Sequence, residues 1–171
     1  MNRILVLGGN GAGKSTLAAR IGRIFDLPVI HLDRHFWNPG WIETEQGAWR
    51  KAVTELTARQ QWVMDGNYHN SLDVRIPVAD LIVFLDFPTS VCLFRVIKRR
   101  FQYHKNARPD MAKGCDEKID VEFLLWILNF RRRIKPRIMK LIDAFDARSN
   151  LIVLKNDREI EGFVKNLDEK K

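Results

Sequence analysis

Hydrophobic positions along this chain arrive in short continuous runs separated by longer stretches with helical spacing. Residues 3–7 (RILVL) form such a run and end at glycine, the pattern of a parallel strand buried on both faces. Residues 14–25 follow with Leu17, Ile21, Ile24 and Phe25 on one helical face. A second strand is expected at 29–32, an aromatic and Pro/Gly-containing loop at 33–41, and a helix at 44–60 with Thr44 as its N-cap. Further strands are expected at 62–64, 81–85 (LIVFL) and 151–154. A basic helix is expected at about 89–104 and a closing helix at 158–167. Residues 106–116 carry Pro109 and Gly114 and read as a mobile segment. Residues 120–145 keep helical spacing, with Pro136 expected to kink or split them. Strands alternating with helices predict an α/β fold, a five-stranded mainly parallel sheet with helices on both faces.

Composition narrows this picture. The 171 residues are 46% hydrophobic and 29% charged, enough for a sizeable core in one domain spanning 1–171 and too apolar for a disordered chain. No apolar run approaches the roughly 20 residues needed to span a bilayer, and the N-terminal run of five is too short for a signal peptide. Cys92 and Cys115 stand far apart with no C-x-x-C partner, which argues against a zinc site or disulfide framework. The expectation is a cytoplasmic protein with no membrane partner.

Charge is uneven. The net charge is +8, and residues 95–140 hold 14 Lys+Arg against 5 Asp+Glu, a balance of +9. A basic excess confined to 46 residues marks a surface that meets anions, whether nucleotide phosphates or nucleic acid.

The sharpest chemistry lies between the first strand and the first helix. Gly8-Gly9-Asn10-Gly11-Ala12-Gly13-Lys14-Ser15, followed by Thr16, fits G-x-x-x-x-G-K-[ST] in full and in the required strand–loop–helix setting. Glycines let backbone N–H groups converge on phosphate oxygens, and the helix start adds its positive dipole end. Lys14 would neutralise β- and γ-phosphate charge, and the Ser15 hydroxyl suits Mg²⁺. The expected ligands are ATP and Mg²⁺, and the expected fold is that of the P-loop NTPases with a short lid at about 101–116.

With that loop, the chain resembles the nucleoside-monophosphate kinase group, which includes adenylate and shikimate kinases. More closely it resembles the bacterial topology-modulation proteins, described as adenylate-kinase-related. The segments that carry the resemblance are LGGNGAGKST (7–16), HLDRHFWNPGW (31–41), WVMDGNY (62–68), ADLIVFLDFP (79–88), GCDEKID (114–120) and FLLWILNFRRR (123–133). The resemblance implies that Asp33 faces the phosphoryl acceptor, the alternative being a turn-capping carboxylate. It implies that Asp65, at the end of WVMDG, stands near Mg²⁺, and that Asp86 in LDFP leads into the lid. Arg95 and Arg99 share a helical face, which matches the R-x-x-x-R that meets nucleotide phosphates at the lid hinge, a solvated basic face being the alternative. At most two of Arg131, Arg132 and Arg133 can reach one point. On the acceptor side, Trp37 suits stacking or packing beneath its loop, and Arg75 suits an acceptor phosphate or carboxylate.

The implied function is a small-molecule kinase that transfers the ATP γ-phosphoryl to a nucleotide, nucleoside or other small acceptor, with catalytic residues Lys14, Asp33, Arg95 and Arg99. A DNA-associated regulator that uses ATP as a switch is the alternative, drawn from the +8 charge and the family name. No helix-turn-helix, zinc finger or single-strand stacking platform is recognisable beside it.

Overall fold

The structure, a computed structural model, describes residues 1–102, 111–112, 114–115 and 120–169. Strand β1 (Arg3–Gly8) runs through the glycine-rich loop into α1 (Lys14–Phe25), and β2 (Val29–His31) follows. A single helical turn, α2 (Asp33–Phe36), leads to a small antiparallel hairpin of β3 (Trp37–Asn38) and β4 (Ile42–Glu43). Then come α3 (Gln46–Thr57), β5 (Trp62–Asp65), α4 (Leu72–Arg75), β6 (Leu81–Leu85) and α5 (Thr89–Gln102). The chain closes with α6 (Val121–Asn129), α7 (Lys135–Ala144), β7 (Leu151–Leu154) and α8 (Asp157–Asp168).

The five main strands pair in parallel in the order β2-β5-β1-β6-β7. Alternation along β1 sends Ile4 and Val6 to one face, against Leu17 and Ile21 of α1 and Ile160 and Val164 of α8. Leu5 and Leu7 point to the other, against Trp49 and Val53 of α3, Leu72 of α4 and Ile138 of α7. Because β2 and β5 lie on one side of β1 and β6 on the other, the chain reverses direction across the sheet at β1. Such a crossing opens a crevice beyond the carboxyl ends of the strands. The register brings His31, Asp65 and Gly8 to that end of the sheet.

Two expectations change. The stretch 33–41 holds a helical turn and part of a hairpin, elements too short to show a period. Helix α3 starts at Gln46, capped by the Glu45 carboxylate, which accepts from the N–H of Gly47 and Ala48 (both 2.9 Å). Thr44 instead closes the hairpin, its hydroxyl donating to the carbonyl of Phe36 (2.7 Å) and accepting from Asn38 Nδ2 (3.2 Å). The long helix at 120–145 is divided by a π-helical stretch, Phe130–Ile134, just before Pro136, whose ring nitrogen cannot donate to the preceding turn. The lid expected at 101–116 lies largely outside the described residues. Among the described residues, no helix is long and apolar enough to cross a membrane.

Candidate active site

The phosphate loop is folded by steric necessity. Gly8 sits at φ 141°, where a Cβ would stand 2.5 Å from the carbonyl oxygen of Leu85 on β6. Gly11, at φ 86°, lies so close to the backbone of Cys92 on α5 that a side chain there would overlap it. The N-cap of α1 is Gly13, with no side-chain cap and no acidic residue in the first turn, so the helix end turns its N–H groups and positive pole toward the loop. Lys14 folds back over this loop, its Nζ donating to the carbonyl of Gly9 (3.1 Å) and to Asn10 Oδ1 (3.4 Å). Burial lowers the Lys14 pKa, Asp33 and Asp65 pull it upward, and Arg99 again lowers it.

Beyond the strand ends lies a cavity of about 1310 Å³. Its wall brings together residues 10–16 of the loop, Asp33, Trp37, Asp65, Arg95 and Arg99. Gly8 and Gly9 form the floor of the loop behind it, Gly9 against the ring of Phe130 and the sulfur of Cys92. Asp65 is buried, with its Oδ2 2.9 Å from His31 Nδ1. Asp33 Oδ1 accepts from the Tyr68 hydroxyl (2.6 Å), whose pKa is driven far upward by burial and by that carboxylate. Tyr68 (φ 31°) and Trp41 (φ 64°) both hold left-handed backbone that bulky residues avoid, and both line the cavity.

Arg95 reaches across to α8, where its Nη2 donates to both Asp157 oxygens (2.7 and 2.5 Å), and its guanidinium stacks 4.7 Å from the Phe87 ring centroid. Arg99, one turn on, stands on the same wall. Asp86 is turned away from the cavity. Its buried carboxylate meets Lys135 Nζ (2.6 Å) and Arg131 Nε (3.3 Å), so Asp65 is the strand-end carboxylate at the loop. Arg132 and Arg133 are exposed, and none of the three successive arginines lines the cavity.

Arg75 departs from its expected place in the acceptor pocket. It is fully buried, and its guanidinium donates to the carbonyls of Gly66 (2.8 Å), Asn67 (2.6 Å), Tyr68 (2.9 Å) and Ser71 (3.2 Å). Four carbonyls hold the guanidinium inside the turn, and Arg75 is not among the residues that line the cavity. His31 is the site residue that sequence reasoning missed. The signal was its place near the carboxyl end of a strand, the end at which parallel sheets open their crevice.

No family model matches the chain. The chain is 31% identical over 127 residues to the uncharacterized protein YqaC of Bacillus subtilis (strain 168), covering 72% of this chain and 69% of YqaC. The chain belongs to the YqaC family. Among solved structures, this YqaC relative resembles shikimate kinase from Acinetobacter baumannii in complex with shikimate, with TM-score 0.59 and 16% identity over 98% of this chain and 90% of that one. It also resembles a gluconokinase from Sinorhizobium meliloti 1021, with TM-score 0.54 and 19% identity over 99% and 94% of the two chains. A shikimate kinase from Bacteroides thetaiotaomicron matches at TM-score 0.52 and 20% identity, over 99% and 97%. These likenesses establish that this YqaC-family chain has the P-loop kinase fold, the α/β architecture expected from its sequence.

Proposed function

We propose that the protein is a small-molecule kinase, acting as a single unit of residues 1–171, that transfers the γ-phosphoryl of ATP to a hydroxyl of a small acceptor. The observation that carries this reading is the position of Lys14. A partly buried ammonium at an open helix N-terminus, with its pKa lowered by burial, gains most from an anion in the glycine cradle. It faces two carboxylates, Asp33 and Asp65, across the same cavity. A phosphate site opposite a carboxylate pair is the arrangement that phosphoryl transfer to a hydroxyl needs. The kinase names of the structural neighbours support the same reading.

In it, residues 8–16 hold the triphosphate, and Lys14, Arg95 and Arg99 stabilise charge on the transferring group. Ser15 and Asp65 are oxygen donors of the kind Mg²⁺ takes. Among the described residues no cluster of three or more His, Cys, Asp or Glu forms a closed metal cage, which suits an ion held partly by phosphate. When bound, Mg²⁺ offsets phosphate charge. Asp33 orients the acceptor hydroxyl and takes its proton as the new P–O bond forms and the bond to the β-phosphate oxygen breaks. Trp37 gives the acceptor an aromatic wall, and Arg75 acts from below.

Calorimetry with a non-hydrolysable ATP analogue and Mg²⁺ tests the donor half. Lys14→Ala is expected to weaken triphosphate binding about tenfold or more while adenosine binding changes little, with an unchanged circular dichroism spectrum. Equal triphosphate affinity in both proteins would overturn the assignment.

A further inference from the structure

The turn after β5 joins every part of the site. Asn67 bonds Gly8 of the phosphate loop in both directions, its Oδ1 accepting the Gly8 N–H (3.1 Å) and its Nδ2 donating to the Gly8 carbonyl (2.8 Å). The next residue, Tyr68, donates to Asp33. The residue before the turn's glycine is Asp65, against His31. Donor loop, acceptor carboxylate and metal-side carboxylate are thus tied to four consecutive residues, 65–68.

That turn is not relaxed. Gly66 lies at φ 119° and Tyr68 at φ 31°, so the second holds a conformation that an aromatic residue adopts only when its surroundings impose it. What imposes it is Arg75. The guanidinium sits inside the turn with three bonds to the carbonyls of Gly66, Asn67 and Tyr68, and its Nη2 also reaches Ser71 Oγ (3.3 Å). No carboxylate shares these bonds among the described residues. Burial drags the Arg75 pKa down to about 9, which leaves it a cation at neutral pH. A buried cation held by carbonyls and one hydroxyl, with no carboxylate bonded to it, carries a desolvation cost that a packed apolar side chain avoids. A residue retained at such a cost points to a geometric task.

We propose that Arg75 is a positioning residue that clamps the turn 66–68, and so sets the phosphate loop, through Asn67, and the acceptor carboxylate, through Tyr68, in one fixed relation. This rests on the kinase reading above. Arg75 touches neither nucleotide nor acceptor. It sets the distance between groups that do, and small errors there cost transition-state stabilisation far more than ground-state binding.

The test is a binding cycle with two probes, MgADP alone and MgADP with aluminium fluoride, the fluoride complex standing in for the transferring phosphoryl group. Arg75→Lys keeps the charge but not the planar fork, and Tyr68→Phe removes the hydroxyl that bonds Asp33 and also meets Trp37. Each is expected to weaken the aluminium-fluoride complex about tenfold while MgADP affinity stays within about threefold. The double variant is expected to fall no more than about twofold below the weaker single, because Arg75 acts partly through Tyr68. Additive losses, or equal losses with both probes, would overturn the proposal and leave Arg75 a stabilising residue only. Should Arg75→Lys not fold, Ser71→Ala, which removes one acceptor from the guanidinium, must show the same selective loss at about two- to threefold, and its absence counts against the clamp. The kinase reading fails separately, if the wild-type protein gains no affinity from aluminium fluoride.

Discussion

Lys14 and Arg75 are both cations withdrawn from water, and they show what a sequence can convey about a single residue. Lys14 was legible because its motif fixes both its neighbours and its setting. Arg75 was not, because arginine near a candidate pocket reads as an anion ligand until its surroundings are known. Only the folded turn, with carbonyls converging from Gly66, Asn67, Tyr68 and Ser71, reveals that its donors point inward. Asp33 and Asp65 follow apolar runs in the sequence and both line the cavity; the hydrogen bonds that orient them, from Tyr68 and with His31, join positions 35 and 34 residues apart and leave no local trace. The state of Lys14 has a consequence in pH. Its pKa in the free protein lies below 10.5, and a bound triphosphate raises it. Affinity is therefore full below the free-protein pKa and declines as pH rises through it, earlier than an ordinary lysine would allow. Calorimetric titrations stepped upward from neutral pH are expected to show this decline beginning below pH 10.5, and Lys14→Arg, if it binds, to remove it. A wild-type affinity flat up to that value would show that Lys14 does not carry the binding charge.

At the scale of elements, periodicity was a faithful guide wherever packing obeys it. Helix α1 and strands β6 and β7 fall at the residues expected, α1 because its apolar face repeats and the two strands because each is a continuous apolar run. The hairpin β3–β4 was illegible because two-residue strands have no period, and its closure by Thr44 moved the start of α3 by two residues. The π-helical stretch before Pro136 was legible only as a break. Its register carries Phe130 to the floor of the phosphate loop and Arg131 and Lys135 to Asp86. The loop is also pinned from α5, where Gly11 lies against the Cys92 carbonyl. Gly11→Ala combines a left-handed φ with that overlap, so a loss of about 1–3 kcal/mol in denaturant unfolding is expected, together with weaker MgATP binding. Wild-type stability and affinity in this variant would contradict the packing of loop on helix.

Over the whole molecule, the described positive charge of residues 95–140 divides between the cavity side and the surface, where Arg132, Arg133, Arg137 and Lys140 are exposed. Within the basic segment, Arg95 meets Asp157, Arg131 and Lys135 meet Asp86, and Arg99 lines the cavity. The cavity-side group, Arg95 and Arg99, suits phosphates held within a crevice. The crevice is where the sheet changes direction, and Lys14, Asp33, Asp65, Arg95 and Arg99 gather there. The central claim, that the crevice moves a phosphoryl group, is tested most directly by ³¹P NMR of MgATP with the protein and a panel of hydroxyl acceptors: nucleosides, nucleotides, sugars and sugar acids. The expected result is one acceptor that yields a phosphate ester resonance as ATP becomes ADP, with the rate reduced about 100-fold or more in Asp33→Asn at unchanged MgATP affinity. Ester formation at the full rate in Asp33→Asn, or bound MgATP with no ester from any acceptor in the panel, would contradict it.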